Sequence, residues 1–126
     1  MRADERGALA NENGRKAEEA AARYLEKKGY QKLKGRYRCR FGEIDLIMKD
    51  GDQLVFVEVK FRKNSDFGTP AEAVSQAKQR KLQLAARSYL REIGTEDLAC
   101  RFDLVEIVLY QGKMYAKHTK NMIGGE

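Results

Sequence analysis

Asp45, Glu58 and Lys60 stand in the spacing Asp-x12-Glu-x-Lys within two β-rich runs, Gly42-Glu43-Ile44-Asp45-Leu46-Ile47 and Leu54-Val55-Phe56-Val57-Glu58-Val59-Lys60. Charge inside strands that are otherwise apolar is costly unless it meets a counter-charge. Asp50-Gly51 between the runs is a strong hairpin signal, because a type I′ turn needs positive φ at both central residues. With Asp50 and Gly51 as a two-residue loop, Lys49 faces Asp52, Asp45 faces Phe56 and Glu43 faces Glu58. Asp45 and Glu58 are then diagonal neighbours with Cα atoms ~7–8 Å apart, and Lys60 follows on the same face. Crowded carboxylates repel one another, and Lys60 alone supplies less positive charge than they require. A divalent cation, Mg²⁺ or Mn²⁺, meets that need, since such ions are held by one or two carboxylates plus waters and substrate phosphate oxygens. The plainer reading is an ordinary strand with Asp45 and Lys60 as a surface ion pair worth ~0–1 kcal/mol.

The elements around the hairpin follow from periodicity. Side chains alternate across a sheet, so Ile44, Leu46, Met48, Val55, Val57 and Val59 make one face that belongs against a core. The opposite face is greasy near the turn (Ile47, Leu54, Phe56) and ionic at the far end (Glu43, Asp45, Glu58, Lys60). From about Asn13 the chain reads as a helix with Ala17, Ala20, Ala21, Tyr24, Leu25 and Lys28 at helical spacing and Gly29 as its stop. Glu18 borders that apolar stripe and can point inward, whereas Glu19 lies on the wet side. Tyr30 to Phe41 reads as one strand whose even positions, Lys32, Lys34, Arg36, Arg38 and Arg40, form a basic stripe. That stripe reads equally as a phosphate track and as an edge guarded by charge.

Arg62 to Pro70 reads as a loop, with Thr69 as N-cap and Pro70 at N1 of a helix ending near Ile93, before Gly94. Val74, Ala77, Leu82, Ala85, Tyr89 and Ile93 are its expected buried stripe. Gln76 and Lys78 in its first half are candidates for nucleic-acid contact, against the plainer reading of a solvated helix face. Residues 101–109 read as a strand, in which Asp103 is either a paired carboxylate tying Arg101's strand to the sheet, the favoured reading, or a group that supports the site carboxylates from behind, and Gln111-Gly112 turns it into a last strand, Met114 to His118. The expected partition is a flexible N-terminus (1–12), one domain (13–118) and a loosely held tail (119–126).

Composition narrows the function. The 126 residues fit one domain, and a net charge of +6 with 35% charged residues favours an anionic partner such as nucleic acid. There is no apolar run of the ~18 residues a membrane span needs and no secretory pattern at the start, so the expectation is a cytoplasmic chain without a membrane. Cys39 and Cys100 lack zinc-site spacing, and the single His118 leaves little room for Ser-His or Cys-His catalysis.

The Asp-Glu-Lys hairpin resembles the PD-(D/E)-x-K nuclease signature, with Ile44 where the signature has Pro. The strings Gly42-Glu43-Ile44-Asp45-Leu46-Ile47, Val55-Phe56-Val57-Glu58-Val59-Lys60-Phe61-Arg62, Phe67-Gly68-Thr69-Pro70 and Arg101-Phe102-Asp103 occur in the order seen in the YraN-like family of small bacterial proteins. The resemblance spans roughly residues 14 to 123. It implies an α/β, restriction-endonuclease-like fold: a mixed β-sheet flanked by α-helices. It also implies a metal-dependent endonuclease related to Holliday-junction resolvases, acting on structured or branched DNA, with Asp45, Glu58 and Glu18 holding Mg²⁺ or Mn²⁺ and Lys60 completing the catalytic set. Ala17 stands before Glu18 where the family usually has Gly, and Lys78 matches a lysine of the family's second helix. Arg36, Arg38, Arg40, Arg62, Gln76 and Lys78 are the residues expected on nucleic acid, and a homodimer fits a two-fold substrate. The alternative is a nucleic-acid-binding module that keeps the fold without cutting.

Overall fold

The computed structural model describes residues 3–63, 74–95 and 98–123, with side chains over 14–62, 74–95 and 98–123. Two helices, α1 (Ala3–Lys27) and α2 (Gln76–Ile93), cover the two faces of a five-stranded sheet. Its strands are β1 (Gln31–Lys34), β4 (Leu46–Asp50), β5 (Gln53–Lys63), β6 (Cys100–Tyr110) and β7 (Lys113–Thr119), in the order β1-β4-β5-β6-β7. Only β5 and β6 pair in parallel among these neighbours. A separate two-stranded ribbon joins β2 (Tyr37–Cys39) to β3 (Gly42–Ile44). The architecture is mixed α/β and compatible with the restriction-endonuclease-like fold the sequence implies.

On one sheet face, Ala17, Ala21, Ala22 and Leu25 of α1 meet Leu46, Met48, Val55, Val57, Val105 and Ile107. The small alanines let the helix lie close to the strands, and Leu25 is fully buried. Leu25→Ala would cost about 2–5 kcal/mol. The helix starts well before the expected Asn13. It ends as expected, with Gly29 at φ +95 and the Tyr30 amide bonded to the Leu25 carbonyl at 3.1 Å.

On the other face, Leu82, Ala85, Ala86, Tyr89 and Leu90 of α2 cover Ile47, Leu54, Phe56 and Leu104. This is why the hairpin's second face is greasy near the turn. Ser75 caps α2, its Oγ accepting from the Lys78 amide at 3.2 Å, and Gly94 ends it at φ 78. The expected cap at Thr69-Pro70 lies outside the described residues. Ala77 and Ile93, expected in the buried stripe, are exposed at the two ends of the helix, and Ala86 and Leu90 take their place.

Two expectations about the strands are corrected. The β4–β5 loop is Gly51-Asp52, with Asp50 paired to Gln53 and Ile47 to Phe56. Gly51 alone takes positive φ, +61, as in type II′ turns with Gly first, and Asp50 stays in the strand, where its carboxylate accepts from Arg101 at 3.0 Å. The turn with positive φ at both central residues is instead Gln111-Gly112, joining β6 to β7. The loop moves by one residue but each partner moves by two, so the faces are unchanged.

Tyr30 to Phe41 is also not one strand. A bulge between Lys32 and Lys34 ends β1, and after Gly35 the chain enters the β2–β3 ribbon. A second break, a bend at Asp45, separates β3 from β4 and turns Ile44 toward α2 instead of onto the α1 face.

Candidate active site

The bend at Asp45 and the middle of β5 make the site. Asp45 has left the ladder, and its Oδ2 accepts the Val59 amide at 2.8 Å, which fixes the carboxylate beside Glu58. Glu58 points to the α2 face and is 5% exposed. Burial first, then the Asp45 charge and a hydrogen bond to it, push Glu58 up to about 8 from its usual 4.5, against the pull of Lys78 and Lys60. Lys78 Nζ lies 3.8 Å from Glu58 Oε2, beyond hydrogen-bond reach, and that oxygen is buried without a hydrogen-bond partner. Lys60, half-buried, follows Glu58 on the same side of β5.

Glu18 is brought to the same end of the sheet but faces elsewhere. It lines a hollow of about 180 Å³ with Asp45, Lys32 and Arg36. The Arg36 guanidinium closes on it at 2.8 and 3.1 Å. Both bonds come from Nη2, and with the Glu18 charge they raise the Arg36 pKa. Among the described residues no three His, Cys, Asp or Glu side chains stand together at metal-ligand spacing. The orphaned Glu58 oxygen beside Asp45 nevertheless fits a hard divalent cation, because carboxylate oxygens are its preferred donors.

The basic residues do not form one stripe. Arg36 is bonded to Glu18, and Arg38 pairs with Glu43, directly opposite it in the ribbon, at 2.9 Å. Arg40 lies over the Phe41 ring at the ribbon's turn. Arg62 points into the fold, its Nε 2.6 Å from Glu106 Oε2. Gln76 is exposed in the first turn of α2. Lys78 is the one that reaches the carboxylates.

The profile of the uncharacterised protein family UPF0102 matches residues 17–107. The chain belongs to this family. It is 49% identical over 98 residues to a UPF0102 protein of Psychromonas ingrahamii, covering 78% of this chain and 80% of the relative. A UPF0102 protein of Symbiobacterium thermophilum is 51% identical over 94 residues, 75% and 80% of the two chains. One of Carboxydothermus hydrogenoformans is 40% identical over 112 residues, 89% and 95%. The family match takes in Glu18, Asp45, Glu58 and Lys60, and stops at Ile107, short of β7.

Three features were not anticipated. Glu106 is 2% exposed in the middle of β6, next to Lys60 in the parallel register, with Oε1 unpartnered. The signal was there: a lone charge inside Val105-Glu106-Ile107-Val108. His118 lies in the last strand as expected, but its Nε2 sits 2.7 Å from Asp103 Oδ2, a partner the sequence did not announce. Lys28 Nζ approaches its Nδ1 at 3.0 Å. Lys81 stands with Lys78, Arg38 and Arg40 around a cleft between the ribbon and α2.

Proposed function

We propose that this chain is a metal-dependent phosphodiester hydrolase, an endonuclease acting on structured or branched DNA in the manner of junction resolvases. One observation carries the reading: the buried Glu58 lies beside the half-buried Asp45 carboxylate, with a Glu58 oxygen unpaired and Lys60 alongside. Protein interiors seldom leave such an atom unpaired without a ligand or a reactive role.

A Mg²⁺ or Mn²⁺ ion bound by Asp45 and Glu58 would supply Lewis acidity toward the scissile phosphate. The chain's own residues do the rest. The Val59 amide fixes Asp45, so the carboxylate needs no reorganisation as charge develops. Burial and the Asp45 charge outweigh Lys78 and Lys60 and favour the protonated form of Glu58 near neutral pH, and an added divalent charge would favour release of that proton. Lys60 orients the attacking water or donates to the phosphate oxygens in the transition state. No histidine is needed, in keeping with His118 being committed to Asp103. No helix of the described residues is long and apolar enough to cross a membrane, and a homodimer in the cytoplasm would match a four-way junction with two symmetric cut sites.

The second reading, a binding module that keeps the fold without cutting, is favoured by Arg36 holding both oxygens of Glu18. The deciding experiment is cleavage of labelled four-way junction, single-stranded and duplex DNA with Mg²⁺ or Mn²⁺ by the wild type, Asp45→Ala and Lys60→Ala. Cutting by the wild type, lost in both variants with binding kept, supports the nuclease. Salt-dependent binding without any cutting would leave the binding module.

A further inference from the structure

The turn of the β2–β3 ribbon stands off α2 and leaves an open cleft of about 600 Å³. Arg38, Arg40, Lys78 and Lys81 line it, with Phe41 and Cys39 in its wall. Among the described residues its only lining carboxylate, Glu43, is already bonded to Arg38. Gly42 holds the ribbon's turn at φ +141, a conformation other residues rarely adopt, and a Cβ there would sit 3.9 Å from the Lys81 Cβ. At the inner end Lys78 links the cleft to Glu58.

We propose that this cleft takes one unpaired nucleic-acid strand, with phosphates among Arg38, Lys78 and Lys81 and a base against Phe41, and leads it to Glu58. The proposal rests on the nucleic-acid half of the reading above and does not depend on cleavage. Sequence-independent single-strand sites combine a cationic groove with an aromatic platform, because every base offers a π face. A duplex keeps its base faces stacked inside and offers the cleft phosphates alone. The volume falls in the ~300–1,000 Å³ range of small-molecule pockets, room for a nucleotide-sized segment and not for a double helix. The Arg40 guanidinium lies 4.7 Å from the centre of the Phe41 ring, a cation–π contact beside which or in place of which a base would stack. The cleft therefore selects splayed arms or flaps over continuous duplex.

Cys39 offers a direct readout in the unmodified chain. It lines the cleft, while Cys100 is held less reactive by burial and serves as the internal reference. Alkylation of both thiols is followed by mass spectrometry with EDTA present, with labelled oligothymidine or with a duplex of equal length, and anisotropy reports binding in parallel. Oligothymidine slowing Cys39 at least severalfold while Cys100 is unchanged, with duplex giving little protection, is the expected result. Equal protection by duplex overturns the single-strand assignment. Oligothymidine that binds without protecting Cys39 overturns the cleft and leaves the nucleic-acid reading standing, whereas no binding of any DNA removes both.

Two variants add a second readout. Phe41→Leu keeps the apolar volume but removes the stacking face, and should weaken oligothymidine binding about tenfold with duplex affinity unchanged. Lys81→Ala should lower the salt slope of oligothymidine binding by about 0.7–1. Parallel losses for both DNAs in Phe41→Leu would overturn the stacking role.

Discussion

Asp103 on β6 and Glu58 on β5 are both carboxylates of the central strands, 0% and 5% exposed, on opposite faces of one sheet. Asp103 is enclosed by donors: Arg101 Nε and Nη2 at 2.9 and 3.1 Å, His118 Nε2 at 2.7 Å and the Asn121 amide at 3.0 Å. Burial raises its pKa, yet the bonds from His118, Arg101 and Asn121 outweigh that and hold it below the usual carboxylate range. Arg101 is bonded in turn to Asp50, Gln53 and Tyr30. Glu58 has another carboxylate for a neighbour and an oxygen with no partner. Both are buried carboxylates. On the α1 side Asp103 has its donors, and on the α2 side one Glu58 oxygen has none among the described residues.

The contrast breaks most sharply in activity. Asp45→Ala or Glu58→Gln should cut phosphodiester cleavage by about 10²–10³-fold or more, measured under single-turnover conditions, while Asp103→Asn should leave the rate of the folded fraction within a few-fold. Stability should run the other way. Asp103→Ala leaves Arg101 with its closest counter-charge gone and should cost about 3–5 kcal/mol, read from urea denaturation midpoints. Glu58→Gln should cost little.

A pH series sharpens the same comparison. Glu58's pKa is higher folded, about 8, than unfolded, 4.5, so the folded state binds the extra proton. Its contribution is full below about pH 4.5 and fades as pH rises through about 8. Melting temperature without divalent ions should therefore fall across that window, and Glu58→Gln should flatten the fall. Asp103 works in the opposite sense: its pKa is depressed, so its contribution is present at neutral pH and lost only in acid. Calorimetry of Mg²⁺ binding near pH 7, repeated in buffers of different ionisation enthalpy, should show release of about one proton, the one Glu58 gives up. The smallest effect belongs to the exposed pair: Arg36→Ala should change stability by under about 1 kcal/mol.

The hairpin, the two helices and the facing of nearly every hairpin side chain were legible in the sequence, because parity survives a loop that moves by one residue. What escaped notice were interruptions of parity. Gly35 and the bend at Asp45 each end a strand mid-pattern, and no periodicity announces where a strand changes sheets. Those breaks dispersed the expected basic stripe and sent Ile44 to α2. Glu58's facing followed from its alternation with Val57 and Val59, but its burial and its missing partner depended on α2 and the reach of Lys78. His118 was placed in its strand, but its partner Asp103 lies fifteen residues earlier. Pairing across that distance has no local signature.

The single parallel pairing of β5 with β6 has a consequence for how the molecule assembles. Asp45 and Glu58 both come from the β4–β5 region, whose ends meet through a two-residue turn, an event of about 1–10 μs in isolated hairpins. β6 reaches β5 only after the chain has travelled out through α2 and back, and such long-range closure delays pairing. The carboxylate pair is therefore sketched early and sealed late. In pulse-labelled hydrogen exchange, amides between β4 and β5 should gain protection before those between β5 and β6. For an interval during refolding, the two carboxylates face open water with their charges intact, and dissolved divalent ions should speed the closing step.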